Sequence, residues 1–198
     1  MADSFIFYRR VFVKRYSYII VCKKGKNMSE LRFEMKNMLA ADLGEEACVP
    51  DLLGERILQN SLKFYLDETD EIYEGYGRIV DAYPYRQRNN YTRNLKRKQI
   101  RTAVLENDLI KAVFLPDYGG RLWELWDKKE NRNLLYTNDV LRFSNLAVRN
   151  AWFSGGVEWN IGVIGHQPLT TEPLYVARTY TEQGEPVLRM YEYERIRG

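Results

Sequence analysis

Between residues 150 and 173 the sequence NAWFSGGVEWNIGVIGHQPLTTEP gathers the residue types from which acid–base chemistry on a polar ligand could be built. Glu158 and His166, the one histidine of the chain, could give and take a proton on opposite sides of a reacting centre. Trp152 and Trp159 could stack on the apolar face of a sugar ring. Arg149 and Asn160 could donate to its hydroxyl groups, and so could Arg121, which follows a diglycine upstream. Each residue also has a structural reading. A glutamate among strand residues is often paired with an arginine, and a single loop histidine is often held by hydrogen bonds to its surroundings.

The elements that must position these side chains are strands. TAVLEN and LIKAVFLP, at 102–107 and 109–116, are rich in apolar and β-branched residues and are parted by Asn107-Asp108, so they predict a hairpin. Gly119-Gly120 permit backbone conformations closed to other residues, and RLWELWD at 121–127 then predicts a third strand. Its alternation is imperfect: Leu122 and the step from Leu125 to Trp126 break strict period two. A charged turn over Lys128 to Arg132 and a short strand in NLLYTN complete a meander, which implies an antiparallel sheet. LYVARTY at 174–180 and PVLRMYEYERIR at 186–197, joined by TEQGEP, predict another hairpin.

Taken together, these two stretches resemble a known family. An apolar hairpin ending in proline, then GGR, a strand and DKKENRNLLY, is similar to the opening hairpins of galactose-mutarotase-like β-sandwich domains. Trp152, Ser154, Gly155, Gly156, Glu158, Trp159, Asn160 and His166 narrow the resemblance to DUF5107, a bacterial domain of unknown function often found at the head of tetratricopeptide-repeat proteins. The resemblance covers roughly residues 60 to 196. It implies a mainly β fold, an antiparallel sandwich of the mutarotase type that faces carbohydrate on a concave sheet, and it supplies no known reaction. In mutarotases the general base lies late in the sandwich. The resemblance therefore implies that this chain is the first part of such a domain, at most weakly active, with an open sheet edge prone to self-association.

The rest of the chain bounds these expectations. At 198 residues with 45% apolar content, one core-forming domain is expected. Fifteen tyrosines, eight phenylalanines and four tryptophans suit both a β core and surfaces for stacking sugars. The net charge of +3 conceals an asymmetry, since residues 1 to 38 hold nine Lys and Arg against three Asp and Glu, leaving 21 against 24 elsewhere. Inside the remainder, Arg86 to Arg101 is a stretch without acidic residues; it reads as a solvated basic loop, with nucleic-acid binding as the weaker alternative.

The amino-terminal residues divide into a basic leader over 1–34, a short helical segment over 35–60 with Leu52, Leu53, Ile57 and Leu58 on one face, and the sandwich over 61–198. In the leader Tyr16 to Cys22 is too short to span a membrane and lacks a signal-peptide cleavage site, which points to the cytoplasm. Cys22 and Cys48 show neither a disulfide framework nor zinc spacing. The acidic run from Asp67 to Glu74 has no ligand spacing, and Gly155-Gly156 lack the Lys-Ser/Thr of a phosphate loop, so no metal and no cofactor are expected.

Overall fold

The computed structural model describes residues 5–12, 15–22, 29–46, 88–146, 150–159 and 167–193, and its regular elements there are all strands. In chain order they are β1 (Phe5–Phe12), β2 (Arg15–Cys22), β3 (Glu30–Ala40), β4 (Lys96–Glu106), β5 (Ile110–Leu115), β6 (Arg121–Asp127), β7 (Arg132–Asn133), β8 (Val140–Leu141), β9 (Ser144–Leu146), β10 (Asn150–Trp152), β11 (Tyr175–Tyr180) and β12 (Pro186–Tyr193).

Six of them form one sheet in the order β7-β6-β5-β4-β3-β8, four form another in the order β1-β2-β12-β11, and β9 and β10 make a separate pair. All pairings are antiparallel except that of β3 with β8. The two larger sheets pack face to face as a β-sandwich, because alternation sends one set of side chains inward from each. Leu31, Ala103, Leu105, Ala112, Phe114 and Leu122 of the six-stranded sheet meet Ile20, Leu188 and Met190 of the other. Residues of opposite parity, Met38, Ala40, Ile100 and Leu115, lie on the far face and build a second cluster with Trp123, Leu141, Phe143, Ala151 and Phe153. It is this second cluster that abuts the candidate site.

The β4–β5 hairpin forms as expected, with Asn107 Oδ1 accepting from the backbone N–H groups of Leu109 and Ile110 to close the turn. β6 occupies the expected residues 121–127. Its broken alternation is a β-bulge: Phe114 pairs with Leu122 and Val113 with Glu124, so Trp123 is the extra residue. Leu122 and Leu125, three apart, thereby serve one core cluster while Trp123 is buried in the other. The β11–β12 hairpin also forms, and Gly184, with φ of +79°, makes its turn. The strand expected in NLLYTN is reduced to Arg132–Asn133, because Asn133 Oδ1 turns inward to accept from Leu125 N and Leu135 N.

Two expectations are corrected. Residues 35–40 are strand rather than helix: Met, Lys, Leu and Ala favour helices in isolation, but here β3 runs in unbroken register against β4 from Glu30↔Glu106 to Ala40↔Lys96. Residues 47–60, the remainder of the expected helical segment, lie outside the described residues, as do LKFYL at 62–66 and nearly all of GRIVDAYPYRQRNN at 77–90. Nor does the sandwich begin at residue 61, since β2 lies between β1 and β12 within one sheet and β3 between β4 and β8 in the other. The second correction concerns the basic stretch, which from Lys96 onward is strand β4. Lys98 pairs with Asp42, Lys96 lies 3.7 Å from the same carboxylate, Arg101 pairs with Asp117, and Arg88 is clasped by Glu172 and Glu46. Among the described residues, no helix is long and apolar enough to cross a membrane, and no group of three or more His, Cys, Asp or Glu could hold a metal ion.

Candidate functional site

The diglycine sets the site's position. Gly119 and Gly120 both have left-handed φ, +64° and +66°, and a Cβ on Gly119 would stand 2.8 Å from the carbonyl oxygen of Leu169. Only glycine lets this turn lie so close to the 169–174 segment. The two are stitched by Gly119 N–H donating to Glu172 O and Leu174 N–H donating to Pro116 O. The turn delivers Arg121 as the first residue of β6, with its side chain directed into the protein.

Arg121 is a buried hub. Its side chain is 3% exposed. Nη1 donates to the carbonyls of Phe153 at 2.9 Å and Gly155 at 3.0 Å; Nη2 donates to Thr170 Oγ1 at 2.9 Å and lies 3.5 Å from Glu158 Oε2. The guanidinium carbon is 3.9 Å from the centroid of the Phe153 ring and 5.7 Å from that of Trp152. Burial pushes its pKa down to about 10, against the opposing pull of Glu158. At neutral pH it remains a cation, with Nη1 and Nη2 tying β6 to the 153–158 and 167–170 segments while Nε lies buried without a hydrogen-bond partner among the described residues. The expected role of Arg121 as a donor to ligand hydroxyls does not fit this burial.

Glu158 sits beside it, 11% exposed. Oε2 accepts from Trp152 Nε1 at 2.7 Å, and Oε1 accepts from the backbone N–H of Gln167 at 3.2 Å. Two glycines bring the residue there. Gly156, φ +67°, lies so close to β6 that a Cβ would stand 2.3 Å from Leu122 O, and next to it Val157 forms a two-bond bridge with Leu122, at 2.8 and 3.2 Å. Gly155, φ +108°, packs on the ring of Trp123. The half-buried Trp159 is fixed by Nε1 donating to Gly120 O at 2.7 Å. Trp152, half-buried at the end of β10, is likewise held by its indole nitrogen.

The structure thus brings together Arg121, Trp152 and Glu158, with Trp159 anchored on the same diglycine. Arg149, Asn160 and His166 lie outside the described residues, so the expected pairing of Glu158 with His166 has no geometry to report. Several residues join the site that the sequence does not single out. Thr170, Phe153 and Gln167 hold Arg121 and Glu158. Asn138 donates from Nδ2 to Ser154 O and accepts from the hydroxyl of Tyr136, whose backbone carbonyl takes the N–H of Gly156. Tyr136 is 73% exposed. The one sequence signal for these is the Tyr136 and Asn138 of LLYTN, which the fold sets against SGG; Thr170 and Gln167 give none, because their roles depend on where the diglycine turn lands.

The comparisons with known proteins bear on the whole of this region. The family described as a domain of unknown function, DUF5107, matches residues 78–193, well over half of the chain. Among solved structures, the chain is similar to a TPR-domain containing protein from Parabacteroides distasonis ATCC 8503, with 21% identity and a TM-score of 0.52 over 77% of this chain. That likeness shows a shared fold. The chain spans 22% of the length of that protein.

Proposed function

Because the chain belongs to the DUF5107 family, whose description assigns no activity, we propose a role from the site itself: a carbohydrate-binding domain of the mutarotase-like type. In this reading a sugar lies on the sheet face beside Trp152, stacks on that indole, and gives a hydroxyl hydrogen bond to Glu158. The observation that carries the reading is the fixed pairing of the half-buried Trp152 with Glu158, Nε1 to Oε2 at 2.7 Å. Sugars need a flat apolar surface next to an oriented acceptor, and side chains already locked lose little freedom on binding. Trp159 and the exposed Tyr136 extend the aromatic surface.

Binding without turnover fits better than catalysis. A general acid or base must exchange a proton with substrate, whereas the carboxylate of Glu158 already serves an indole, a backbone amide and a guanidinium. Acid–base work by Glu158 with His166 stands as the second reading, an enzymatic one. Outside enzymes, an interaction domain displayed by a longer repeat protein is favoured by the likeness to the TPR-domain containing protein.

A glycan array probed with the full chain separates the three. We expect binding to at least one glycan class, weakened about tenfold by Trp152→Ala and less by Glu158→Gln, with no turnover of bound sugars by either form. Turnover abolished by Glu158→Gln would transfer the site to the enzymatic reading, and absence of binding to any glycan would leave the interaction domain.

A further inference from the structure

β3 is bonded to β4 along its whole length on one side, but on the other it meets β8 only at Leu39 and Ala40. Among the described residues its outer edge from Glu30 to Asn37 has no strand beside it. The direction of its backbone groups follows from one hydrogen bond. Ala41 N–H points outward to Leu141 O, and the register with β4 is unbroken, so period two turns the N–H and C=O of Leu31, Phe33, Met35 and Asn37 to that same edge. Such an edge is a template for another strand.

The side chains along it are arranged about Phe33. Outward from that residue the sequence ELRFEMK reads Arg32 against Glu34, Leu31 against Met35, and Glu30 against Lys36, so each charge has its opposite at the same distance on the other side. If a second β3 lies antiparallel with Phe33 facing Phe33, then Glu30 faces Lys36, Arg32 faces Glu34 and Leu31 faces Met35, twice over. The charged set falls on one face. On the other fall Phe33 and Met35, which are 43% and 55% exposed in the single chain. A shift by one residue would bring apolar side chains opposite charged ones, and a shift by two would break the ion pairs. Natural edges are usually blunted by charge; here the charges match one partner, their own copy. The edge of β11, YVARTY, holds a single charge and so specifies no register.

We propose that β3 is a homodimerisation strand, pairing antiparallel with the β3 of a second copy about a two-fold axis at Phe33 and joining two six-stranded sheets into one. Phe33 makes a hydrogen-bonded pair with its own copy, and Leu31 and Met35 close over each other on both sides. Apolar cover and backbone bonds supply the affinity. The ion pairs select the register, because Arg32 also engages Glu106 and Lys36 engages Glu124 within one chain, and exposed pairs add little. One strand pair is a small interface, so association depends on concentration.

The test is sedimentation equilibrium on the full chain up to about 100 μM, with Glu30→Lys and Lys36→Glu made separately. Wild type should approach twice the monomer mass. Each variant alone places like charges opposite each other at two symmetric points and should weaken association by about tenfold. An equimolar mixture of the two variants restores opposite charges at both points, and dimer should return. Circular dichroism of each variant verifies that the sheet persists. Wild type that stays monomeric throughout, or a mixture that associates no better than the separate variants, would overturn the proposal.

Discussion

Two glycines with nearly the same backbone conformation allow the site's packing to be weighed against backbone preference alone. Gly156 and Gly184 have φ of +67° and +79°, so alanine at either must occupy the left-handed region, at about 1 kcal/mol. They differ in surroundings. A Cβ at Gly184 meets nothing within 4 Å, whereas one at Gly156 stands 2.3 Å from Leu122 O and 3.1 Å from Leu122 C, both backbone atoms of β6. Backbone cannot rotate out of the way as a flexible side chain can. The 155–158 segment must lift, and the Leu122–Val157 bridge with its two hydrogen bonds goes with it. At about 1 kcal/mol for each bond, Gly156→Ala should cost about 3 kcal/mol in total, against about 1 kcal/mol for Gly184→Ala. Equilibrium unfolding in urea, followed by tryptophan fluorescence and circular dichroism together, measures both. Gly156→Ala should also loosen glycan binding, since Glu158 lies two residues on, while Gly184→Ala should not. If the two variants lose the same stability to within about 0.5 kcal/mol, the close approach of these loops to β6 contributes nothing and the account of the site is wrong.

Replacing Arg121 by Met should cost about 3 kcal/mol, because Thr170 and the carbonyls of Phe153 and Gly155 lose buried donors. In a double-mutant cycle with Glu158→Gln the two losses should fall short of additivity by about 1 kcal/mol; strict additivity would mean that the 3.5 Å pair is not coupled. Acid should destabilise the sandwich through two carboxylates. Burial alone would raise the pKa of Glu106, but Lys128 and Arg32 hold it below its usual value of 4.5, and Asp42 is lowered chiefly by Lys98. Groups with depressed folded pKa values stabilise above their unfolded values, so this contribution disappears as pH falls below about 4. Thermal melts across that range should show a shallower acid limb in Lys128→Met; an unchanged limb would remove Glu106 from the account.

What could be read from the sequence was local. The β4–β5 and β11–β12 hairpins were legible because Asn107-Asp108 and Gly184 mark turns between neighbours in the chain, and β6 because its apolar residues are dense enough to survive an irregularity. β3 was not legible: its helix-forming residues are overruled by a partner strand distant in the chain, from Met35 against Arg101 to Ala40 against Lys96. The basic stretch hides its pairing for a similar reason, since Asp42 and Glu172 lie far off in the chain and Asp117 is brought to Arg101 only by the β4–β5 hairpin. At the site, glycines, tryptophans and Glu158 were visible as types. That Arg121 serves the fold and Trp152 pairs with Glu158 emerged only from where the turns place them.

The extra residue in β6 has a consequence for how this strand tolerates change. Upstream of Trp123 the strand is in phase with the site, since Arg121 points toward Phe153 and Thr170. Downstream it is in phase with the ionic outer face, where Glu124 meets Lys36. Trp123 acts as a phase joint between two frames of alternation. Loss of one residue here would remove the bulge rather than invert the strand: Leu122, Glu124 and Leu125 would still face Phe114, Val113 and Ala112 in plain alternation, and the cost would fall on the second cluster, which loses the Trp123 ring. The joint is therefore the one place in β6 where the strand can lose a residue and keep both halves of its register.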